Sequence, residues 1–295
     1  MIFKKMRFDD IDIVREYFLK YNTGLNYNTL GGFFAWREWL NTEFAIEDDS
    51  LFMRIEGKRN GNLYCLPMTS NLDNAIYKLS SYAKEQNILL ALYPVLGQEL
   101  EICDKYFTYE LYQTTGSDYI YDFETLKNLS GRKLHGQKNH LNFFKKTFAD
   151  TQVLNVDKNN VNKLKDFILK VKNPYKENAE NMYKDELKYS FEVIDNFEKY
   201  HYDGILALYK GEIIGFVLGE TIKNTVYLHI MKIDKNYRGV AQFIITEYLK
   251  LVNSDVKFVN MEDDAGDEDL KYTKTCYHPL DIAAPKRLIV KEYKV

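Results

Sequence analysis

Cysteine is scarce in this chain. Cys65, Cys103 and Cys276 are scattered, odd in number and outside any C-x-x-C pattern. Neither a disulfide framework nor a zinc site is indicated, and a reduced, cytoplasmic setting is expected. A strong charge of either sign is also missing: the formal net charge is −3 over 295 residues. No global basic field therefore directs the protein to nucleic acid or to a membrane. The N-terminus, MIFKKMRFDD, has no apolar signal core, and the longest apolar run, near Ile88 to Leu96, is too short to cross a bilayer. A soluble protein is expected, with peripheral membrane contact left open. The motifs G-x-S-x-G and G-x-x-x-x-G-K-[ST] are absent, and no histidine pair has metal-ligand spacing. This argues against hydrolase, NTPase and metalloenzyme chemistry and gives no metal ligands.

The length suggests two domains that each bury a core, and the aromatic share of 15% is high for a disordered chain. The stretch from Asp203 to Lys250 organises the rest. Two apolar runs, Gly204 to Tyr209 and Ile213 to Leu218, flank a Lys210-Gly211 turn, which predicts a β-hairpin. Both strands are apolar on both faces, as in the middle of a covered sheet. A third strand, Thr225 to Ile233, follows. From Gly239 onward, Val240, Phe243, Ile244, Tyr248 and Leu251 fall at helical spacing. A strand thus ends in the basic loop Lys235 to Arg238 and a glycine opens the next helix. The unpaired N–H groups of such a helix start, beside Arg238, form a candidate phosphate site. A helix-opening glycine also has a purely structural use.

This order of hairpin, strand, glycine-opened helix and strand resembles the core of the GNAT N-acyltransferases, whose pyrophosphate turn reads [QR]-x-x-G-x-[GA]. The segment Asn236, Tyr237, Arg238, Gly239, Val240, Ala241 matches in the glycine and the final small residue and departs at its first position. The resemblance implies that these residues, with Gln242, hold a donor's phosphates.

Earlier in the chain, Asp9 or Asp10 can cap a helix bearing Val14, Tyr17, Phe18 and Tyr21. Trp36 and Trp39 sit in an aromatic cluster that forms a core or a ligand wall. Leu51 to Ile55 and Leu63 to Leu66 bracket Gly57 to Gly61, a second hairpin signal. Asn71 caps an amphipathic helix carrying Leu72, Ala75, Ile76, Leu79, Tyr82 and Ala83. A buried strand, Ile88 to Tyr93, and a short helix from Gln98 to about Lys105 follow. The order hairpin, helix, strand, helix therefore occurs twice. The first copy lacks a glycine or basic loop before its helix, so it should not bind phosphate there and would instead complete a substrate cleft.

Between the copies, Gly116 to Phe148 is the one local basic concentration. Lys127, Arg132, Lys133, Lys138, Lys145 and Lys146 are interleaved with Leu134, Leu141, Phe143, Phe144 and Phe148. Such a segment is either a connecting helix with solvated lysines or a cationic rim for tRNA, lipid headgroups or another polyanion. The expected division is residues 1–118, a first GNAT-like domain; 119–150, a basic and aromatic connecting segment; and 151–295, a second GNAT-like domain with the donor turn.

Tyr121, the run LSGRKLHGQKNHLNFFKK from Leu129 to Lys146, and VNMEDDAGDEDLKYTKTCYHP from Val259 to Pro279 resemble the signature blocks of a further family. That family is related to the C-terminal domain of phosphatidylglycerol lysyltransferase. The resemblance implies an α/β (α+β) protein of two tandem GNAT-like (acyl-CoA N-acyltransferase) domains, each a mixed central sheet flanked by helices. It implies acyl or aminoacyl transfer to an amine or hydroxyl. In the lysyltransferases the donor is aminoacyl-tRNA and the acceptor a phospholipid; related Fem-type enzymes act on peptidoglycan precursors.

The matched positions are Glu220, His229, Lys232, Gly239, Gln242, Asn260, Glu262, Asp264, Gly266, Tyr277 and His278. Departures at Met231, Ala241 and Ile245 leave an altered or lost activity open. Acyl transfer to an amine needs a deprotonated nucleophile and a stabilised oxyanion. His229 suits a general base if it opens to a cleft, and is otherwise a hydrogen-bonded core residue; Glu220, at a strand end after Gly219, either positions an amine or is a solvated strand end. Tyr277 could protonate a leaving group. Strict alternation puts His229 with Tyr227 and Met231, and Lys232 on the opposite face with Leu228 and Ile230. Glu262, Asp263 and Asp264 could hold a cationic acceptor or cap the helix near Asp267. Lys133, Lys138, Asn139, His140, Lys232, Asn260, Glu262, Asp264 and His278 form the candidate set for acceptor or polyanion contact.

No covalently bound cofactor is expected. The donor is charged tRNA, with acetyl-CoA as the alternative for an N-acetyltransferase, and the acceptor a small-molecule or peptide amine. A non-catalytic binding protein on the same fold is the third reading.

Overall fold

The computed structural model describes residues 1–56, 62–114, 116–171, 180–253 and 255–294. The chain divides into two units, Met1–Ser117 with Ala283–Val295, and Asp118–Ile282. Residues 119–150 thus belong to the second unit, and the chain's last stretch to the first.

In the first unit seven strands lie in the order Lys4–Lys5, Glu43–Glu47, Ser50–Ile55, Leu63–Tyr64, Ala91–Val95, Lys286–Tyr293, Phe107–Gln113. The pairing of Arg54 with Tyr64 and Ile55 with Leu63 is antiparallel, while the proposed turn at Gly57 to Gly61 lies outside the described residues. Leu63–Tyr64 and Ala91–Val95 are parallel, joined through the helix Leu72–Glu85. Asn71 caps that helix by accepting from the Asn74 amide at 3.1 Å. Its buried stripe of Ala75, Ile76, Leu79 and Ala83 packs on Leu92, Phe107, Leu288 and Val290.

The second unit repeats this order with Gln152–Asn155, Asp203–Tyr209, Glu212–Ile222, Thr225–Ile233, Phe258–Asn260, Asp118–Asp122 and Asp281–Ala283. Lys210 and Gly211 both adopt positive φ, +52° and +84°, as a two-residue hairpin turn requires. Thr225–Ile233 and Phe258–Asn260 are parallel, and the helix Val240–Leu251 connects them. That helix is buried at Val240, Phe243, Ile244, Ile245, Thr246, Tyr248 and Leu249, all round its surface, because the helix His135–Thr147 covers it opposite the sheet. Phe144 meets Phe243 with ring centroids 4.6 Å apart.

One position sets the two units in relation to the sequence. Between the fifth strand and the edge strand, each sheet holds an antiparallel strand: Lys286–Tyr293 in the first, Asp118–Asp122 in the second. Asp118–Asp122 follows the first unit's edge strand Phe107–Gln113 in the chain, and Lys286–Tyr293 follows the second unit's Asp281–Ala283. The repeats have exchanged their sixth strands, counted across each sheet.

The first sheet therefore depends on the distal end of the sequence. Removing residues 286–295 should abolish amide-exchange protection in Ala91–Val95 and Phe107–Gln113 while Asp203–Tyr209 and Glu212–Ile222 stay protected. Leu288, fully buried, gives the milder version: Leu288→Ala should lower unfolding stability by about 2–5 kcal/mol in urea titration.

Candidate active site

The hairpin strand Glu212–Ile222 and Thr225–Ile233 pair regularly until Leu218 opposite Ile230; the next pair is Gly219 with Leu228. His229 is the additional residue, and the strand bulges there. Gly219 is required at this point: a Cβ on it would lie 2.2 Å from the Tyr227 carbonyl oxygen. The bulge shifts the alternation. Val226, Leu228, Met231 and Ile233 pack on the core beneath the helix Val240–Leu251. His229 stacks near Tyr227 and Tyr202, and Lys232 reaches Glu186 of the helix Glu180–Asp195, whose Tyr189 meets Tyr202. The expected faces are thereby corrected: Lys232 shares the His229 side and Met231 does not.

Of the two readings of Glu220, the solvated strand end does not hold. The strand continues to Ile222, Glu220 pairs with Tyr227, and its side chain is buried. Its Oε1 lies 3.0 Å from His229 Nε2, and Glu262 Oε1 lies 2.6 Å from His229 Nδ1. The ring has no exposed side-chain surface; Glu220 has 4% and Glu262 22%. Burial pulls the imidazole pKa down, but the two carboxylate hydrogen bonds and charges override it and raise the value to about 9. His229 is therefore an imidazolium at neutral pH, donating from both nitrogens. It is a hydrogen-bonded interior histidine, as a lone histidine inside an apolar strand suggests, and does not open to a cleft as a general base. Burial pushes the Glu262 carboxyl up from its ordinary value, and His229 and Lys274 oppose that shift.

The parallel pairing of Thr225–Ile233 with Phe258–Asn260 ends at Tyr227 opposite Asn260. Just beyond, His229 and Glu262 face each other across the parted strands. Glu262 adopts φ +62°, and Asn260 Oδ1 accepts from its amide at 2.7 Å. Asn260, fully buried, also donates to Asp118 at 2.7 Å. Asp264 accepts from the Tyr119 hydroxyl at 2.6 Å and from the Gly266 amide at 2.9 Å. The helix Glu268–Thr275 is capped instead by Asp267, which accepts from Asp269 and Leu270. The three acids thus shape the turn rather than cap the helix. Glu220, His229, Asn260, Glu262 and Asp264 are brought together.

The donor-turn candidates form a second cluster. Gly239, at φ +90°, begins the helix Val240–Leu251. A Cβ there would fall 2.3 Å from the His140 carbonyl oxygen and 2.9 Å from Phe144 Cβ. What Gly239 admits here is the close approach of the helix His135–Thr147. Arg238 donates to His140 Nδ1 at 3.2 Å and lies over the Phe143 ring. Asn236 is exposed and its amide bonds Asp234; Val240 is buried and Ala241 half-buried. Gln242 donates to Gln137 at 2.7 Å and also bonds Tyr277. Tyr277 is buried edge-on to Tyr121, and burial raises its phenol pKa, which weakens it as an acid.

Of the basic set, Lys138 donates to the Asn128 carbonyl and Lys145 pairs with Glu247. Arg132, Lys133, Asn139 and Lys146 are exposed. Lys133 and His278 line a shallow cavity of about 250 Å³ with Gln137, Tyr272 and Cys276. The sequence reading missed Asp118, Tyr119, Glu186, Tyr189, Tyr202 and Lys274. Only Gly219, a glycine inside a strand pattern, signalled the bulge. Among the described residues no helix is long and apolar enough to cross a membrane.

Two tandem mixed sheets of this topology, with a helix crossing between parted parallel strands, define a GNAT-like fold. The chain belongs to the family described as phosphatidylglycerol lysyltransferase, C-terminal, which matches residues 21–285. An uncharacterized protein of Mycoplasmoides gallisepticum is 27% identical over 226 residues, covering 74% of this chain and 71% of its own. A conserved protein of unknown function from Bacteroides thetaiotaomicron superposes with a TM-score of 0.85 at 23% identity, covering 99% of this chain and 100% of its own. The C-terminal domain of a putative lysylphosphatidylglycerol synthetase from Agrobacterium fabrum gives a TM-score of 0.65 at 12% identity, covering 95% and 91%.

The site carries a pH signature. The folded pKa of His229 exceeds its ordinary 6.5, so its stabilisation is complete below about pH 6.5 and is lost as pH rises through about 9. The difference in Tm between wild type and His229→Gln, measured from pH 6 to 10, should therefore be largest at the acid end and shrink towards pH 10. Gly239→Ala should lower stability by about 1–3 kcal/mol through its backbone conformation alone, with more from the clash, as read by thermal unfolding.

Proposed function

We propose that this chain is an aminoacyltransferase that moves an aminoacyl group from charged tRNA to an amine or hydroxyl acceptor. The observation that carries the reading is the Glu220–His229–Glu262 line across the parted strands, in a chain of the lysyltransferase C-terminal family. The parallel pairing stops at Tyr227 and Asn260, so the Glu262 side chain stands just beyond the end of the paired strands. Of the three side chains Glu262 is the most exposed. It faces the substrate, holds the nucleophile's ammonium or hydroxyl and takes its proton. The upward push on its carboxyl makes it a stronger base than a solvated glutamate. His229, protonated and backed by Glu220, orients that carboxylate.

The exposed basic side of the helix His135–Thr147, with Arg132, Lys133 and Lys146, supports tRNA as the donor's carrier. The close contact of helix His135–Thr147 with Gly239 and Arg238 favours tRNA over acetyl-CoA.

The test is transfer of radiolabelled amino acid from a mixed pool of charged tRNA to candidate amines. Glu262→Gln should lower kcat about 100-fold or more with tRNA affinity unchanged. Reversing Arg132, Lys133 and Lys146 together should weaken tRNA binding at least about tenfold and flatten its salt dependence. Acetyl transfer from acetyl-CoA, with none from tRNA, would replace this reading with an N-acetyltransferase. Absence of turnover with either donor would leave a binding protein.

A further inference from the structure

Glu262 holds a left-handed backbone conformation, and so does Ala265, at φ +51°. Non-glycine residues keep such conformations only where their surroundings impose them. The turn lies at the end of a three-residue strand, and the Lys274 ammonium reaches its carbonyls. Lys274, on the helix Glu268–Thr275, donates to the Met261 carbonyl at 2.6 Å, the Glu262 carbonyl at 3.3 Å and the Asp263 carbonyl. Three acceptors meet the three N–H donors of one ammonium, as carbonyls gather around a bound metal ion. The same ammonium lies 5.7 Å from the Tyr119 ring centroid, and the carboxylates that act on it are Glu262, Asp263, Asp118 and Asp264.

We propose that Lys274 is the positioning residue of this site: its ammonium fixes the turn at Glu262 and so holds the Glu262 carboxylate against His229. This rests on the reading of Glu262 as the substrate-facing group. Lys274 does not itself act on substrate, since its donors are spent on the main chain. Without it the three carbonyls lose their common partner, the turn relaxes from its left-handed form, and the carboxylate swings off the ring. His229 then keeps Glu220 alone, with Tyr202 and Tyr227 stacked on it and Tyr189 behind Tyr202.

The experiment reads the His229 titration rather than transfer, so it succeeds or fails independently of the proposed reaction. In the full chain labelled with ¹⁵N-histidine, the His229 ring signals should titrate near pH 9 in the wild type. In Lys274→Met the midpoint should fall by at least about one unit, a tenfold change in proton affinity. In Lys274→Ala, ammonium chloride should restore it, whereas choline chloride at equal ionic strength should not. An unchanged midpoint in folded Lys274→Met overturns the proposal, as does equal recovery with both salts. A variant that stays unfolded in ammonium or stabilising osmolyte also overturns it, because Lys274 would then be part of the framework and not a positioning group.

Discussion

A carboxylate taken out of water needs a partner of opposite charge and hydrogen bonds for its remaining lone pairs, or it protonates. Here two carboxylates are withdrawn around one imidazole that has no exposed surface. The hydrogen bonds and charges of both raise the proton affinity of the ring against its burial. The arrangement requires Glu220 and His229 to point away from the side of the sheet that carries the hydrophobic core. It also requires a third group to arrive from beyond the neighbouring strand. One extra residue opposite Gly219 meets the first requirement, and the left-handed turn at Glu262 meets the second. The parting of the parallel strands is the opening these two irregularities span.

The rest of the second unit follows from keeping that opening rigid. The helix Val240–Leu251 is buried both toward the sheet and toward the helix His135–Thr147, which approaches closely enough to require a glycine at position 239. The basic segment is therefore two things at once: a layer of the second unit through Leu134, Leu141 and Phe144, and a cationic surface through its outward lysines. One helix can satisfy both because the two sets of residues lie on different faces.

Much of the fold was legible because it rests on short-range patterns. The Lys210-Gly211 turn, the Asn71 cap and the helical spacing from Val240 to Leu251 each depend on a few neighbouring residues. The site was legible as a set of residue types but not as an arrangement. Alternation places Lys232 opposite His229, and a single bulge reverses that, yet its only sign in the sequence is Gly219. Lys274 has no local signal, being one of two lysines on a polar helix, and it matters only through carbonyls whose positions depend on the turn. His229 was correctly singled out, but its charge state depends on Glu262, which lies 33 residues further along the chain. The sixth-strand exchange was likewise hidden, because Asp118–Asp122 and Lys286–Tyr293 each fit either sheet by pattern.

That exchange also separates the order of synthesis from the order of folding. When the first 117 residues have been made, Ala91–Val95 and Phe107–Gln113 still lack the strand that lies between them. Their backbone edges stay open while the whole second unit is translated. The second unit is in the opposite position, since Asp118–Asp122 precedes every other strand of its sheet and is waiting when Phe258–Asn260 arrives. The half made first is thus the half completed last, and the unpaired edges it carries meanwhile are the kind that nascent-chain chaperones cover.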